Sequence, residues 1–278
     1  MIFLWIFLLI LGALLLLWLF LILPRLRRPT AVKALHQAQY AHRGLHNIQK
    51  GIPENSLLAF RRAVEAGYGI ELDVHLTRDG KLVVEHDDHL RRTCGSELII
   101  EDCDYADLKD LTLEGTAERL PLLEEVFALV DGKVPLLVEV KVFRGNHQPL
   151  CAAVYAALRQ YKGAYCVESF DPRAIAWFRR NAKEVVRGQL AGYIRKHGNS
   201  LHPAADFALR HLLVNVLGRP DFIAYHYKDA RNLSLRICKT LYRAPIFLWT
   251  VRNERAQAVA KRLDAAPIFE EPKQEVNV

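Results

Sequence analysis

The run Ile70-Glu71-Leu72-Asp73-Val74 decides the fold, because two acids alternate with the apolar residues of a short strand. Three other apolar runs end in charged residues or histidine: Ala41-His42-Arg43-Gly44, Leu82-Val83-Val84-Glu85-His86-Asp87 and Leu136-Leu137-Val138-Glu139-Val140-Lys141. Buried charge is costly unless it is paired or bound to metal, so four such strand ends indicate one shared site. The carboxyl ends of parallel strands meet on one face of an α/β barrel, where catalytic residues lie. The sequence therefore predicts a TIM-type (β/α)8 barrel.

The length suits one such barrel after an N-terminal extension, since a (β/α)8 domain typically needs ~250 residues and the chain has 278. We assign residues 39–278 to the barrel. The pattern predicts nine strands, one more than a barrel needs, and it leaves open which strand is peripheral. The predicted strands are 39–42, 70–76, 81–85, 135–141, 164–170, 185–190, 222–225, 246–251 and 267–269. Helical spacing predicts helices over residues 55–66, 104–111, 121–130, 150–160, 171–180 and 204–215.

Residues 1–24 form a predicted transmembrane anchor, because residues 2–23 are almost wholly apolar and a span needs ~20 such residues. A cleaved signal peptide would begin with basic residues and end at a small-residue cleavage site. No Lys or Arg precedes this run, and Pro24-Arg25-Leu26-Arg27-Arg28 follows it. Residues 25–38 are then a basic juxtamembrane linker. The positive-inside rule predicts a single-pass protein of the cell membrane whose barrel lies in the cytoplasm.

The bulk composition narrows the possible partners. A formal net charge of +7 raises the question of nucleic acid, but the basic residues are scattered through predicted helices without an RNA-binding motif or an aromatic platform. The five cysteines are odd in number and lack CxxC spacing, which favours reduced thiols over disulfides or a zinc site. We therefore expect no nucleic-acid partner, and we expect contact with the lipid bilayer through the N-terminal helix.

Three carboxylates are candidate metal ligands. Glu71 and Asp73 lie two residues apart on a strand, so their side chains share one face. An edge strand exposed to water would explain that pair equally well, but Glu139 adds a third acid on a separate apolar strand. Ligand sets made only of oxygen suit Ca²⁺ or Mg²⁺ better than zinc.

Two histidines and two cations complete the candidate site. Of the eleven histidines, His42 and His86 stand out because each follows an apolar run and adjoins charged residues, and imidazole transfers protons near neutral pH. Arg43 and Lys141 are suited to a phosphate group, although Arg43 could equally pair with Glu54. Metal, acid, base and phosphate ligands together predict hydrolysis of a phosphate ester.

These residues resemble the signature of the glycerophosphodiester phosphodiesterases. The likeness runs from about Tyr40 to near the C-terminus and is densest up to Lys141. The stretches that carry it are His42-Arg43-Gly44, Pro53-Glu54-Asn55-Ser56, Glu71-Leu72-Asp73-Val74, residues 77–87, Glu139-Val140-Lys141 and Trp249-Thr250-Val251. The resemblance implies a TIM-type barrel, a divalent metal, and cleavage of glycerophosphodiesters to an alcohol and sn-glycerol 3-phosphate.

The resemblance also implies a role for each candidate residue. It makes His42 and His86 the acid–base pair without showing which is the base, and Arg43 and Lys141 the phosphate ligands. It makes Glu71, Asp73 and Glu139 the ligands of Ca²⁺ or Mg²⁺. Glu54 would orient either Arg43 or one of the metal ligands, and Trp249 would form a wall of the substrate pocket. A strand tryptophan is also commonly a packing residue, and we interpret Asp87 as a cap or turn residue. The family often has Thr-Asp-Xaa-Pro at the last strand, where residues 268–272 read Ile-Phe-Glu-Glu-Pro here, so the headgroup preference stays open.

Three functions follow from this reading. The first is a membrane-anchored, metal-dependent phosphodiesterase for soluble glycerophosphodiesters. The second is a lysophospholipase D for membrane lysophospholipids, whose anchor would hold the barrel mouth near the bilayer and whose apolar rim would come from residues 201–217. The third is a membrane-tethered module that binds phosphodiesters without catalysis. Its hallmark would be a missing histidine or metal carboxylate, and all of them are present.

Overall fold

The computed structural model describes residues 1–197 and 201–270, and it contains the predicted (β/α)8 barrel. Eight parallel strands form a closed sheet because β1 pairs with both β2 and β9. The strands in chain order are β1 (Tyr40–His42), β2 (Gly69–Leu76), β3 (Leu82–Val84), β4 (Leu136–Val140), β5 (Tyr165–Ser169), β6 (Arg187–Ala191), β7 (Phe222–His226), β8 (Ile246–Val251) and β9 (Ala266–Phe269). The predicted fold class is confirmed.

Strand β3 is the peripheral strand that the sequence pattern left unidentified. It runs antiparallel to β2, with Val84 opposite Val74, and takes no part in closing the barrel. A turn at Asp79-Gly80 joins the two strands, and Gly80 adopts a φ of +81° that favours glycine. Because of this hairpin, β3 runs back from the carboxyl end of β2, and the Glu85 N–H that follows β3 donates to the Asp73 carbonyl oxygen at 3.1 Å.

Most α-helices of the described residues surround the barrel, and some begin at clear capping signals. At the start of α3 the Ser56 hydroxyl accepts a hydrogen bond from the Ala59 N–H, and Pro172 opens α8, where a missing N–H costs little. The helices are α1 (Ile2–Ile22), α2 (Ala31–Gln37), α3 (Leu57–Glu65), α4 (Arg91–Cys94), α5 (Tyr105–Leu108), α6 (Leu123–Val130), α7 (His147–Leu158), α8 (Pro172–Asn181), α9 (Pro203–Arg210), α10 (Asn215–Gly218), α11 (Leu233–Thr240) and α12 (Glu254–Leu263). The helix predicted over 204–215 is two helices, because the chain breaks at Leu212 with a φ of +58°.

Every second residue of a strand faces the barrel interior. These inward-facing residues are apolar toward the amino ends of the strands and charged toward their carboxyl ends. Leu137 of β4 and Cys166 of β5 are register partners and belong to the apolar interior cluster. Two residues further along the same strands, Glu139 and Glu168 are partners and are also buried. Since inward-facing positions recur every second residue, the acids lie directly above the apolar layer. Sequence and barrel geometry thus place charge at the carboxyl ends of the strands.

Helix α2 closes the opposite end of the barrel, at the amino ends of the strands, which we call the base. Its residues Val32 and Leu35 are buried against Tyr40, Phe222 and Phe247 of the barrel interior. The segment 25–38, predicted to be a linker, therefore contains a helix that belongs to the barrel core. Its seven residues hold too few turns for a helical period to be recognised in the sequence.

Helix α1 lies outside the barrel over most of its length. Among the described residues it is the one helix long and apolar enough to cross a membrane, and none of its most apolar 18-residue window is buried. Only its last turns contact the rest of the protein, where Ile22 is fully buried and Trp18 and Leu19 pack against the second apolar cluster. The helix is therefore fixed at its C-terminal end and exposed elsewhere.

Candidate active site

The three predicted metal ligands come together at the carboxyl ends of β2 and β4. Asp73 and Glu139 are register partners, and Glu71 lies one inward position below Asp73. Each of the three carboxylates offers an oxygen atom, and these oxygen atoms lie within 4.8 Å of one another. All three residues are buried. Such an arrangement is unfavourable for three negative charges in the absence of a cation.

Two cations offset part of this negative charge. The Lys141 ammonium lies 3.1 Å from Glu139 Oε1 and 3.3 Å from Asp73 Oδ1. The Arg43 guanidinium lies 3.5 Å from Asp73 Oδ2, and the Arg43 backbone N–H donates to Glu71 Oε2 at 3.0 Å. Arg43 also donates to Glu54 Oε1 at 2.8 Å. The ion pair with Glu54 therefore forms while the same guanidinium faces the acid cluster.

The carboxylates differ in pKa because burial and neighbouring charges act on each one differently. Burial, together with Asp73 and Glu139, raises the pKa of Glu71 well above its usual range. Burial also raises the pKa of Glu139 to about 7, against the attraction of Lys141. For Asp73, burial is outweighed by Lys141, His86 and Arg43, which hold its pKa well below the usual range. Protonation of Glu71 and Glu139 thus removes negative charge that a bound divalent cation would otherwise balance.

The donor set suits a hard divalent cation. Asp73 Oδ1 and Asn55 Oδ1 are buried and accept no hydrogen bond from the described residues. Asn55 Nδ2 donates to Asp73 Oδ2 at 2.9 Å, which orients that carboxylate. Carboxylate and amide oxygens are among the ligands that Ca²⁺ and Mg²⁺ prefer. Asn55 belongs to the stretch Pro53-Glu54-Asn55-Ser56, but it was not among the predicted site residues.

His42 is held by a carboxylate that the sequence analysis did not assign to the site. His42 Nδ1 lies 2.8 Å from Glu270 Oε1, and His42 Nε2 lies 4.0 Å from Glu71 Oε2. Burial and the Arg43 charge lower the pKa of His42 to about 4, against the attraction of Glu270. His42 is therefore a neutral imidazole near pH 7, with Nε2 directed toward the acid cluster. Glu271 and Pro272, which follow in the divergent last motif, lie outside the described residues.

A carboxylate also holds His86 through its Nδ1 atom. His86 Nδ1 lies 2.5 Å from Asp87 Oδ1, so Asp87 contacts a predicted catalytic residue rather than serving only as a turn residue. Arg92 continues the contact, because it donates to Asp87 Oδ2 and to Glu54 Oε1 at 2.6 Å each. Burial and the Lys141 charge lower the pKa of His86. Ion pairs thus connect His86 with Glu54, the partner of Arg43.

A fourth buried carboxylate belongs to the same layer. Glu168 is the register partner of Glu139 and is buried, and its Oε2 atom has no hydrogen-bond partner among the described residues. Burial and the charges of Glu71 and Glu139 raise the pKa of Glu168 well above its usual range. The sequence signal was available, since Glu168 occupies the same place at the end of β5 that Glu139 occupies in β4.

Trp249 lies in the wall of a small cavity above the acids. The cavity has a volume of about 200 Å³, and its lining includes both histidines and three of the acids: His42, His86, Glu71, Glu139 and Glu168. The Trp249 ring makes edge contacts with Phe170 and His226, at centroid distances of 5.5 and 4.7 Å. Trp249 Nε1 is buried without a hydrogen-bond partner among the described residues. The residue therefore both packs against aromatic neighbours and borders the cavity.

A larger cavity adjoins the small one. Its volume is about 800 Å³, and it shares His86, Glu139 and Phe170 with the small cavity. The rest of its lining also contains Lys141, Asp171 and Arg173, and it includes a group of apolar side chains: Phe143, Ile194, Leu201, Ala205, Ala208 and Leu209. Several of these side chains come from the segment 201–217, where the sequence suggested an apolar rim. The candidate site thus has a charged centre and an apolar extension.

The sequence of this chain is similar to those of several bacterial and mammalian proteins. A glycerophosphodiester phosphodiesterase of Caldanaerobacter subterraneus is 42% identical over 112 residues, which cover 38% of this chain and 44% of that protein. An uncharacterised protein of Bacillus subtilis is 31% identical over 208 residues, covering 71% of this chain and 83% of that protein. A lysophospholipase D of Rattus norvegicus is 34% identical over 122 residues, covering 39% of this chain and 38% of that protein. The first and third alignments span less than half of those two relatives.

Solved structures and a family model extend the comparison over the barrel. An Oleispira antarctica phosphodiesterase, solved in complex with the product sn-glycerol-3-phosphate, has a TM-score of 0.70 at 23% identity and covers 86% of this chain and 94% of that one. A glycerophosphodiester phosphodiesterase from Thermotoga maritima has a TM-score of 0.64 at 25% identity, covering 85% and 95%. The model of the glycerophosphoryl diester phosphodiesterase family matches residues 42–271. Because this match takes in most of the sequence, the chain belongs to the glycerophosphoryl diester phosphodiesterase family.

Proposed function

We propose that this protein hydrolyses glycerophosphodiesters to an alcohol and sn-glycerol 3-phosphate in a reaction that needs a divalent cation. The observation that carries the proposal is the oxygen cluster of Glu71, Asp73 and Glu139 on the same barrel face as two carboxylate-backed histidines. The family match supports the reaction class. The relatives named above support the substrate class, because two of them are named as glycerophosphodiester phosphodiesterases.

The residues present would hold Ca²⁺ or Mg²⁺ through the three carboxylates. When bound, the cation would supply positive charge for the oxygens of a phosphodiester. Lys141 and Arg43 border the same cluster, so their charges would bind phosphate oxygens beside it. Glu54 keeps the Arg43 guanidinium in place through their 2.8 Å contact.

The two histidines would move the protons. In each of them Nδ1 faces a carboxylate, Glu270 for His42 and Asp87 for His86, so Nε2 is left to face the cavity. One imidazole would accept the proton of the attacking hydroxyl group or water, and the other would donate a proton to the leaving alcohol. Trp249 would form the wall against which the substrate lies.

We also propose that α1 anchors the protein in the cell membrane as a single span, with the barrel in the cytoplasm. The support is the length and apolar character of the helix together with the basic residues that follow it.

A substrate panel tests the proposed activity. The detergent-solubilised full chain is assayed for release of sn-glycerol 3-phosphate from glycerophosphocholine, glycerophosphoethanolamine and glycerophosphoglycerol, with Ca²⁺, Mg²⁺ or EDTA. We expect turnover with a divalent cation and its loss in EDTA, restored when the cation is added back. A folded, metal-binding protein that turns over none of these diesters would instead support the non-catalytic binding module.

The larger cavity favours lysophospholipase D as a second candidate function. A lysophospholipid carries one acyl chain next to its phosphodiester, and the cavity of about 800 Å³ extends from the charged centre along apolar side chains. This volume lies in the range of small-molecule sites, ~300–1,000 Å³. The acyl chain of the lysophospholipid would lie between α8 and α9. The reaction would release lysophosphatidic acid.

Filling the apolar cavity separates the two candidates. We expect Ala208→Trp to lower turnover of lysophosphatidylcholine about tenfold or more by raising KM, since a bulky ring removes the space for the chain. Turnover of glycerophosphocholine should stay unchanged. Ala204→Trp is the matched control, because Ala204 lies on the same helix and is exposed outside the cavity. Equal effects of Ala208→Trp on both substrates would argue against an acyl-chain site.

A further inference from the structure

The C-terminal end of α1 is bound to the base of the barrel. Arg219 donates from Nη1 to the carbonyl oxygens of Phe20 at 2.8 Å and Leu23 at 2.7 Å. Asn215 Nδ2 donates to the Ile22 carbonyl at 2.9 Å, in a buried position. Arg219 and Asn215 both precede β7, so they lie at the amino ends of the barrel strands.

The residues that follow α1 strengthen this attachment. The Arg25 backbone N–H donates to the Pro220 carbonyl at 2.9 Å, and its guanidinium donates to the Lys183 carbonyl at 3.0 Å. Arg28 donates to the carbonyls of Asp221 and Tyr242 at 3.0 Å each. The acceptors precede β6, β7 and β8. The connection between helix and barrel is therefore a fixed joint at the base, not a free linker.

A patch of exposed apolar and basic side chains surrounds this joint, and we call it the base collar. Its members are Leu26, Arg27, Lys183, Leu217, Leu241 and Arg243. The three leucines are 62, 45 and 61% exposed. Leu26 and Arg27 lie between Arg25 and Arg28, and Leu241 and Arg243 flank Tyr242. Leu217 lies in the chain between Asn215 and Arg219, and the Lys183 carbonyl itself accepts a hydrogen bond from Arg25. Exposed leucines alternating with basic residues are typical of surfaces that contact anionic lipid headgroups.

The candidate active site lies at the other end of the barrel. The strands start at the base, and the carboxylates and histidines lie near their carboxyl ends. Within β2 the barrel pairings run from Gly69 to Val74, so five steps of ~3.3 Å separate the two ends by on the order of 13 Å once strand tilt is allowed for. If α1 spans the bilayer, its attachment at the base would place the barrel mouth away from the membrane, unlike the arrangement expected for a lysophospholipase D.

We infer that the base collar is a contact surface for an anionic bilayer and that the barrel stands on it with its catalytic mouth toward the aqueous compartment. Helix α1 continues from the joint into the bilayer, so the collar lies where the headgroups begin. The leucines would enter the interfacial layer, and Arg27, Lys183 and Arg243 would pair with anionic headgroups. The inference rests on the proposed anchor and deepens the proposed function, because substrates would reach the site from water.

Lipid-dependent quenching of two labels tests this orientation. The full chain, with the half-exposed Cys94 replaced by serine and the remaining buried cysteines kept, carries a fluorophore at Leu241→Cys in the collar or at His89→Cys beside the mouth. It is reconstituted in phosphatidylcholine vesicles with or without phosphatidylglycerol, containing a headgroup-labelled quencher lipid. We expect several-fold stronger quenching at Leu241→Cys. Stronger or equal quenching at His89→Cys would overturn the inference, and so would quenching at neither site.

Charge reversal tests the preference for anionic lipid. Arg27→Glu combined with Arg243→Glu should reduce quenching of the collar label in vesicles that contain phosphatidylglycerol. The control reverses two exposed charges outside the collar, Lys81→Glu with Lys109→Glu, and should leave quenching unchanged. An unchanged signal after reversal in the collar would overturn the role of these charges. Glycerophosphocholine hydrolysis is measured on the same vesicles, so a failure of the proposed activity is seen separately from a failure of the orientation.

Discussion

The His42→Ala variant is expected to lose about 10²- to 10⁴-fold in kcat for glycerophosphodiesters, the range that a general acid or base contributes. This loss corresponds to roughly 3–5 kcal/mol of transition-state stabilisation, at about 1.4 kcal/mol per tenfold change. The reason is geometric: His42 Nδ1 is held by Glu270, and Nε2 is left to face the acid cluster, so no neighbouring group can replace the imidazole. The measurement is steady-state release of sn-glycerol 3-phosphate.

The control for this variant is His89→Ala, an exposed histidine near the end of β3 that lies outside the cluster. It should retain the activity of the unmodified protein. Cation affinity of His42→Ala should change little, because the three carboxylates stay in place. If His42→Ala kept more than about a tenth of the activity, an acid–base role for this histidine would be excluded.

The Asp73→Asn variant is expected to lower the affinity for Ca²⁺ or Mg²⁺ by about 10²-fold or more, since even residues that only support metal ligands contribute 10- to 100-fold. Asp73 is the member of the cluster whose pKa is held well below its usual range, by Lys141, His86 and Arg43 against burial. It is therefore ionised at neutral pH, the state in which a carboxylate binds a cation. Asparagine has nearly the same shape, so packing around β2 is preserved.

Calorimetric titration and thermal unfolding with increasing cation concentration measure this effect. A cation that binds only the folded state raises the free energy of unfolding by ~2.7 kcal/mol at 100 times its Kd. That stabilisation should be present in the unmodified protein and largely absent in Asp73→Asn. Glu124→Gln, at an exposed position of α6, is the control and should respond like the unmodified protein. Equal stabilisation of Asp73→Asn would remove this residue from the metal site.

The barrel and the centre of the candidate site could be predicted because both leave a local pattern. Glu71 and Asp73 interrupt an apolar strand at every second position, and Glu139 does the same on another strand. Parallel strands of a barrel bring such positions to one face. For these residues, local alternation and the general geometry of the fold were sufficient.

Other parts of the site depend on contacts that the sequence does not display. Glu270 lies 228 positions from His42 along the chain, and only the pairing of β9 with β1 brings the two together. Asp87 directly follows His86, yet an acid in that position is equally typical of a turn. Helix α2 is too short for a recognisable period, so its place under the barrel emerged only from its contacts with Phe222 and Phe247.

A series of ion pairs connects two separate loops near the candidate site. It runs from His86 through Asp87, Arg92 and Glu54 to Arg43. One loop follows β1 and the other follows β3. In this series Arg92 is the residue that connects the two loops, so the proposed proton transfer at His86 and the proposed phosphate binding at Arg43 would depend on the same side chain. A change of side chain at Arg92 would therefore alter both at once, although the residue itself touches neither the metal ligands nor the cavity above them.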